Sequence, residues 1–270
     1  MHAPSPAAEL RRLGIRASRG LGQHFLVDER VARRQVERAA IRGDETVLEV
    51  GPGLGILTRL LASRARRVIA IEKDSRLASA LAGLGARVEV VRGDALKVEW
   101  PAFDAMVSNL PYRISSPITF RLLEQVFDRA ILMFQREFAE RMVARPGTKD
   151  YSRLTVNVAF RAECEILEEV PRSAFYPSPR VDSAIVRLVR RSPPYEVADV
   201  ARFHAVVDAS FLHRRKTIRN ALDLAWRTFA PTRDRWRAMV EHAPFLEARA
   251  GDLAPEQFAT LSNELAGAKG

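Results

Sequence analysis

Apolar residues recur along this chain in two alternating rhythms. Short, nearly unbroken apolar runs occupy 46–50, 67–71, 87–91, 105–108 and 130–134. Between and after them, 56–63, 75–84, 117–126 and 136–144 carry apolar positions three and four apart, the spacing of a helix with one buried face. Runs this short suit strands covered on both sides. The alternation predicts a parallel, doubly wound α/β sheet, preceded by a helix over 27–40 with Asp28 as its cap. Ligands of such sheets lie beyond the carboxyl ends of the strands, near the point where strand order reverses.

Further along, the spacing predicts a helix over 152–161 and strands over 165–170 and 183–189, separated by the proline-rich loop PRSAFYPSPRVD. Arg190-Arg191-Ser192-Pro193-Pro194 reads as a linker. Polar-faced helices follow over 200–212, 214–226, 233–241 and 255–265. The predicted organisation is a basic, mobile leader at 1–20, a Rossmann-like domain at 21–190 and a small helical domain at 195–270. No internal repeat stands out.

Composition narrows the partners. The 270 residues are 47% hydrophobic, enough for a large domain and a smaller one. No apolar run approaches the roughly 20 residues of a membrane span, and the first 20 residues lack the apolar core of a signal peptide, so a cytoplasmic protein without a membrane partner is expected. Cys164 is the sole cysteine, which excludes a disulfide framework and a cysteine zinc site. Lys and Arg number 43 against 33 Asp and Glu, a net charge of +10 that favours a polyanion such as RNA or a ribosome. Five of the basic residues are lysine, leaving 38 arginines able to bind phosphate bidentately and stack on bases. GC-rich codon usage explains arginine over lysine but not the net charge. The five histidines pair with no nucleophile and form no ligand cluster, so no metal is expected.

Candidate chemistry sits at four consecutive predicted strand ends. Glu49-Val50-Gly51-Pro52-Gly53-Leu54-Gly55 follows the first run and opens a helix, and its glycines let backbone pass close to a nucleotide-like ligand. Ile56 stands where a dinucleotide fingerprint has its third glycine, so S-adenosylmethionine, which has no pyrophosphate, fits better than NAD. Glu72 ends the second run, where a carboxylate can accept both ribose hydroxyls, and Lys73 adjoins it. Asp94, in Gly93-Asp94-Ala95, is placed to accept from an adenine amino group. Asn109-Leu110-Pro111-Tyr112 ends the fourth. There the Asn oxygen and the Leu110 carbonyl, extended by the proline after it, can hold the two hydrogens of a planar base amine. Pro111 stiffens the turn and Tyr112 offers a stacking face to an extruded base.

These motifs together resemble the ribosomal RNA small-subunit adenine dimethyltransferases, of the KsgA/RsmA type and its archaeal and eukaryotic relatives. The resemblance runs from Gly22-Gln23-His24-Phe25-Leu26 through EVGPGLG, IEKD (71–74), GDAL (93–96) and NLPYRISSPI (109–118) to VPRSAFYPSPRVDSAIVRL (170–188) and FLHRRKTIRNAL (211–222). The 146–152 segment suggests an archaeal member. Many bacterial members have Asn in place of His24 and of Arg113. The family implies a class I S-adenosylmethionine-dependent fold. It also implies a cofactor held by Gln23, His24, Leu26, Gly51 and its neighbours, Glu72, Lys73, Asp94 and Ala95. Asn109 would lie between cofactor and target amine, and Phe175 would pack on the target adenine opposite Tyr112. The basic run at Arg214, Arg215, Lys216 and Arg219, read as opening a helix, is placed to meet RNA phosphates.

The resemblance implies N6,N6-dimethylation of two adjacent adenosines near the 3′ end of small-subunit ribosomal RNA, on an assembling particle, by a monomer. Direct in-line displacement would need no catalytic histidine. Alternatives are a large-subunit RNA dimethyltransferase, a ribosome-assembly or transcription factor that has lost activity, and a DNA adenine methyltransferase. The helical tail favours the first assignment over the large-subunit one.

Overall fold

The computed structural model describes residues 6–15 and 24–267. They form two compact units, one from the chain up to residue 139 with 163–190, the other from 140–162 with 191 onward.

The first unit is built on a seven-stranded sheet. In chain order, its strands are β2 (Thr46–Val50), β3 (Arg67–Glu72), β4 (Val88–Arg92), β5 (Ala105–Asn109), β6 (Arg129–Gln135), β7 (Ala162–Val170) and β9 (Ser183–Arg190), laid out as β4-β3-β2-β5-β6-β9-β7. The first five strands of that order are parallel, and β9 runs antiparallel to β6. Every residue of β2 and the middle of β6 is buried, as their unbroken apolar runs require. Helices α2 (Glu29–Ala39), α3 (Ile56–Ala62), α4 (Ser75–Leu81) and α5 (Ser115–Leu123) alternate with the strands. Asp28 caps α2 as expected, its side chain accepting from the Arg30 amide. At the base of the sheet the buried Glu45 carboxylate takes both forks of Arg129, each at 2.8 Å. Burial, the largest single influence, would raise its pKa, but Arg129 and Arg42 together outweigh it and hold the carboxyl below the usual range.

Strand order reverses between β2 and β5, and there the ladder is short. Only Val47↔Ala105 and Leu48↔Met106 pair. Beyond them, the Val50 amide donates to the Ser108 hydroxyl at 2.9 Å rather than to backbone. The two strands separate toward their carboxyl ends, which opens a crevice between Gly51 and Asn109.

Two parts of this unit depart from expectation. Residues 6–15 contain helix α1 (Pro6–Arg12), and Leu10 and Ile15 are buried against Leu77. Arg76 also donates to the Gly14 carbonyl at 2.7 Å. This part of the expected mobile leader is anchored because its apolar residues have a partner on α4; the rest, with Arg16 and Arg19, lies outside the described residues. A second, two-stranded sheet pairs β1 (Phe25–Leu26) with β8 (Phe175–Tyr176), bringing the proline-rich loop to His24.

The second unit packs α7 (Arg153–Arg161), α8 (Val200–Leu212), α9 (Ile218–Leu224), α10 (Arg233–Val240) and α11 (Pro255–Gly267) around Phe160, Phe203, Trp236 and Phe258. Residues 140–162, expected within the sheet domain, belong here because Tyr151, Val156 and Phe160 face this core. The Tyr151 hydroxyl donates to the Leu253 carbonyl at 2.7 Å. The basic run does not open the helix: Thr217 caps α9, accepting from the Asn220 amide, so 214–216 form the turn before it. Among the described residues no helix is long and apolar enough to cross a membrane.

Candidate active site

The crevice at the strand reversal is a cavity enclosing about 650 Å³ of empty space, counting its mouth. Seven of the expected cofactor residues line it: His24, Leu26, Glu49, Gly51, Gly53, Glu72 and Asn109. Pro111 lines it too, together with Leu54 and Ile56 from the glycine motif and its edge, and with Leu57 and Leu77, whose sequence positions carried no signal beyond helical spacing.

The glycine turn explains how backbone reaches the cavity. Gly51 and Gly53 have φ of +70° and +57°, a region that disfavours side chains. A Cβ on Gly51 would lie 3.2 Å from Pro111, and one on Gly53 would lie 2.9 Å from the Phe25 ring. The turn is thus pressed between the 109–112 motif and β1.

Polar groups in the cavity are overwhelmingly acceptors. The Glu72 oxygens accept from the Gly53 amide at 3.1 Å and the Asp74 amide at 2.9 Å, and each keeps a lone pair for a hydroxyl. Burial raises the Glu72 pKa, while those backbone donors work the other way. Glu49 is 2% exposed, and its Oε2 has no hydrogen-bond partner. Its pKa is raised to about 8, chiefly by burial. The Asn109 Oδ1 is likewise buried and unpartnered. Among the described residues no lysine or arginine lines the cavity. Such a site suits a ligand rich in hydroxyls and positive charge, and disfavours a diphosphate. The donor set and glycine cradle therefore fit S-adenosylmethionine.

Of the four other expected cofactor residues, Lys73, Asp94 and Ala95 do not line the cavity. Asp94 accepts from Lys73 Nζ at 2.9 Å and from the Leu96 amide at 3.0 Å, and Lys73 holds its carboxyl below the usual range. Ala95 is buried, and its carbonyl accepts from Trp100 and Arg121. Gln23 lies outside the described residues.

In the 109–112 motif, Leu110 buries its side chain and Pro111 starts a 3-10 turn, Tyr112–Ile114. Tyr112 is half-buried, its hydroxyl 2.7 Å from that of Ser183 on β9. Burial raises its pKa, with Ser183 partly offsetting. Phe175, expected as the opposite wall, is 5% exposed and packs with Leu26, Val170 and Ala174. It pairs with Leu26 across β1 and β8. The ring that faces Tyr112 is His24, which sequence pattern alone could not place.

In the second unit, Arg214, Arg215 and Arg249 line a shallow crevice with Thr148 and Gly251. Arg214 is pinned there by the Thr148 and Lys149 carbonyls, at 2.9 and 2.7 Å. Arg215 and Lys216 are exposed. Arg219 sits apart on α9, paired with Glu247. Among the described residues no group of three or more His, Cys, Asp or Glu is arranged to hold a metal. Burial pushes the Cys164 thiol up to about 12, so it is not poised for thiolate chemistry.

The parallel sheet with its reversal beside a glycine turn, the acidic strand ends and the antiparallel β9 define a class I, Rossmann-like methyltransferase fold. Within that class the chain belongs to the ribosomal RNA adenine dimethylase family, whose sequence profile matches residues 15–266. It is 46% identical over 250 residues to the probable ribosomal RNA small subunit methyltransferase A of Thermococcus kodakarensis, covering 91% of this chain and 88% of that protein. Among solved structures, it is similar to a dimethyladenosine transferase from Plasmodium falciparum, with TM-score 0.77, 31% identity and coverage of 91% and 98% of the two chains. It is also similar to the 23S rRNA methyltransferase ErmE, with TM-score 0.65, 39% identity and coverage of 90% and 99%.

Proposed function

We propose that this protein transfers methyl groups from S-adenosylmethionine to the N6 amines of two adjacent adenosines near the 3′ end of small-subunit ribosomal RNA, giving N6,N6-dimethyladenosine on an immature subunit. The observation that carries the reading is Asn109: a buried, unpartnered amide oxygen at the end of β5, stiffened by Pro111 and open to the acceptor-rich cavity. A buried acceptor left unmade is costly, and an amine N–H satisfies it.

S-adenosylmethionine supplies an electrophilic methyl group when bound. Glu72 holds the ribose hydroxyls, the Gly51–Gly53 turn passes beneath the amino-acid part, and the apolar side chains Leu54, Ile56 and Leu77 cover the rest. Asn109 and the Leu110 carbonyl grip the amine hydrogens and aim its lone pair, while Tyr112 stacks on the base. Catalysis is then mostly positioning, worth several kcal/mol without any general base. The monomethylated amine keeps one hydrogen for Asn109, so the same grip serves the second transfer. Arg214, Arg215 and Lys216, with Arg249, contact RNA phosphates.

The small-subunit assignment rests on the names of relatives such as the Thermococcus protein, and the likeness to ErmE makes the large subunit the arm to exclude. The test is to incubate the protein and S-adenosylmethionine with unmodified small subunits, large subunits, naked RNA and duplex DNA, and to identify modified nucleosides by mass spectrometry. Dimethyladenosine confined to the small subunit is expected. Modification of large subunits alone would reassign the substrate, and none on any RNA would end the enzyme reading.

A further inference from the structure

Glu49 and Glu72, 2% and 7% exposed, line one cavity, and among the described residues no lysine or arginine lines it with them. Glu72 is compensated by two backbone amides. Glu49 is less well served: its Oε2 meets no donor, and the Thr58 side chain is the one hydrogen-bonding group that lowers its pKa. Among the described residues the groups facing it are few. From β3 comes Glu72, of like charge; from α3 come the Thr58 hydroxyl and Arg59; β5 contributes only the neutral Asn109; from the segment before β1, His24 shares the cavity. Arg59 is exposed and its guanidinium donates to the Leu54 carbonyl at 3.0 Å, so it is a distant counter-charge. Burial and the like charge of Glu72 both disfavour an ionised Glu49, and a proton or a bound cation relieves that cost.

Resting on the reading above, we propose that Glu49 senses the charge at sulfur: it is protonated in the empty cavity, gives its proton to solvent when the sulfonium form of the cofactor binds, and takes one up when the neutral thioether, S-adenosylhomocysteine, remains. The balance closes. Methyl transfer moves one positive charge from sulfur to the amine, the amine sheds it to solvent as a proton, and the cavity regains neutrality through the Glu49 carboxyl. The residue thereby favours the cationic cofactor over the neutral product, and increasingly so as pH rises. Its burial, which lifts its pKa to about 8, places the switch near neutrality.

The experiment is isothermal titration calorimetry of S-adenosylmethionine and S-adenosylhomocysteine at pH 7, in phosphate and in Tris, whose ionisation enthalpies differ and so count protons. Wild type should release up to about 0.9 proton more with the cationic ligand than with the neutral one. Glu49→Gln, isosteric with the protonated acid, should remove that excess while still binding both. In wild type alone the excess should disappear above pH 9, where Glu49 is already ionised, which tests the idea without any variant. Equal release for the two ligands, an excess that survives Glu49→Gln, or one that persists above pH 9 would overturn it. Failure of both ligands to bind would instead remove the methyltransferase reading on which it rests.

Discussion

The imidazole of His24 stacks on the Tyr112 ring, centroids 5.5 Å apart and planes inclined by 30°. The His24 Nδ1 donates to the Pro177 carbonyl at 2.7 Å, and the Tyr112 hydroxyl meets Ser183 at 2.7 Å. The ring that would receive the target base is thus held from both sides, by the loop after β8 and by β9. Removing the stacking face with Tyr112→Ala should lower kcat/KM for RNA about 5- to 150-fold, the range for one lost base-stacking contact. S-adenosylmethionine affinity, measured by calorimetry, should stay within about threefold, since binding and stacking use different atoms. Ser183→Ala, which only loosens the ring, should fall between the two.

Gly53 is expected to tolerate no side chain. Gly53→Ala puts a Cβ where φ is +57° and the Phe25 ring is 2.9 Å away, so either the turn or β1 must move. Strain of about 1–3 kcal/mol should weaken cofactor binding by roughly 5- to 150-fold. A variant that binds S-adenosylmethionine like wild type would show that the turn is not the cradle.

Arg129→Ala should destabilise the sheet unit. It removes the bidentate partner of the Glu45 carboxylate, 1% exposed, and leaves it Arg42, whose guanidinium lies 2.7 Å away and whose amide donates to it at 2.8 Å. Loss of about 1.5–3 kcal/mol is expected in urea denaturation at pH 7. At pH 4 the cost should shrink, because Glu45 can then protonate.

Glu49 gives a stability signature of opposite sign to an ordinary paired carboxylate. Its pKa rises from the usual 4.5 to about 8 on folding, so the folded state binds the extra proton. Its contribution is complete below pH 4.5 and is lost as pH rises through 8, at up to about 1.4 kcal/mol per pH unit. Glu49→Gln should flatten this slope between pH 6 and 8.5 in ligand-free protein. Parallel profiles for the two proteins would show that Glu49 titrates normally.

What the sequence disclosed and what it hid follow from the range of the interactions. Strand ends at Glu49, Glu72 and Asn109 were legible because buried parallel strands are unbroken apolar runs and the polar residue closing each marks the crevice rim. The burial of Phe175 was not, since an aromatic among prolines does not reveal a two-residue strand that pairs it with Leu26, 149 residues earlier. Asp94 has a strand-end position like the others, yet Lys73 reaches it across β3 and β4 and engages it. Helical periodicity at 153–161 was evident, but periodicity cannot say which core the apolar face joins. The same holds for Leu10 and Ile15, whose partner on α4 is distant in sequence.

The central claim is that the Asn109 oxygen grips the target amine. Its most direct test compares wild type with Asn109→Ala, measuring dimethyladenosine formed on unmodified small subunits by nucleoside mass spectrometry alongside S-adenosylmethionine affinity by calorimetry. The geometry predicts that product formation falls by at least about 100-fold, as for loss of a positioning contact near the reacting atoms, while affinity changes less than about tenfold. Wild-type dimethylation by the variant, or losses of equal size in transfer and affinity, would contradict it.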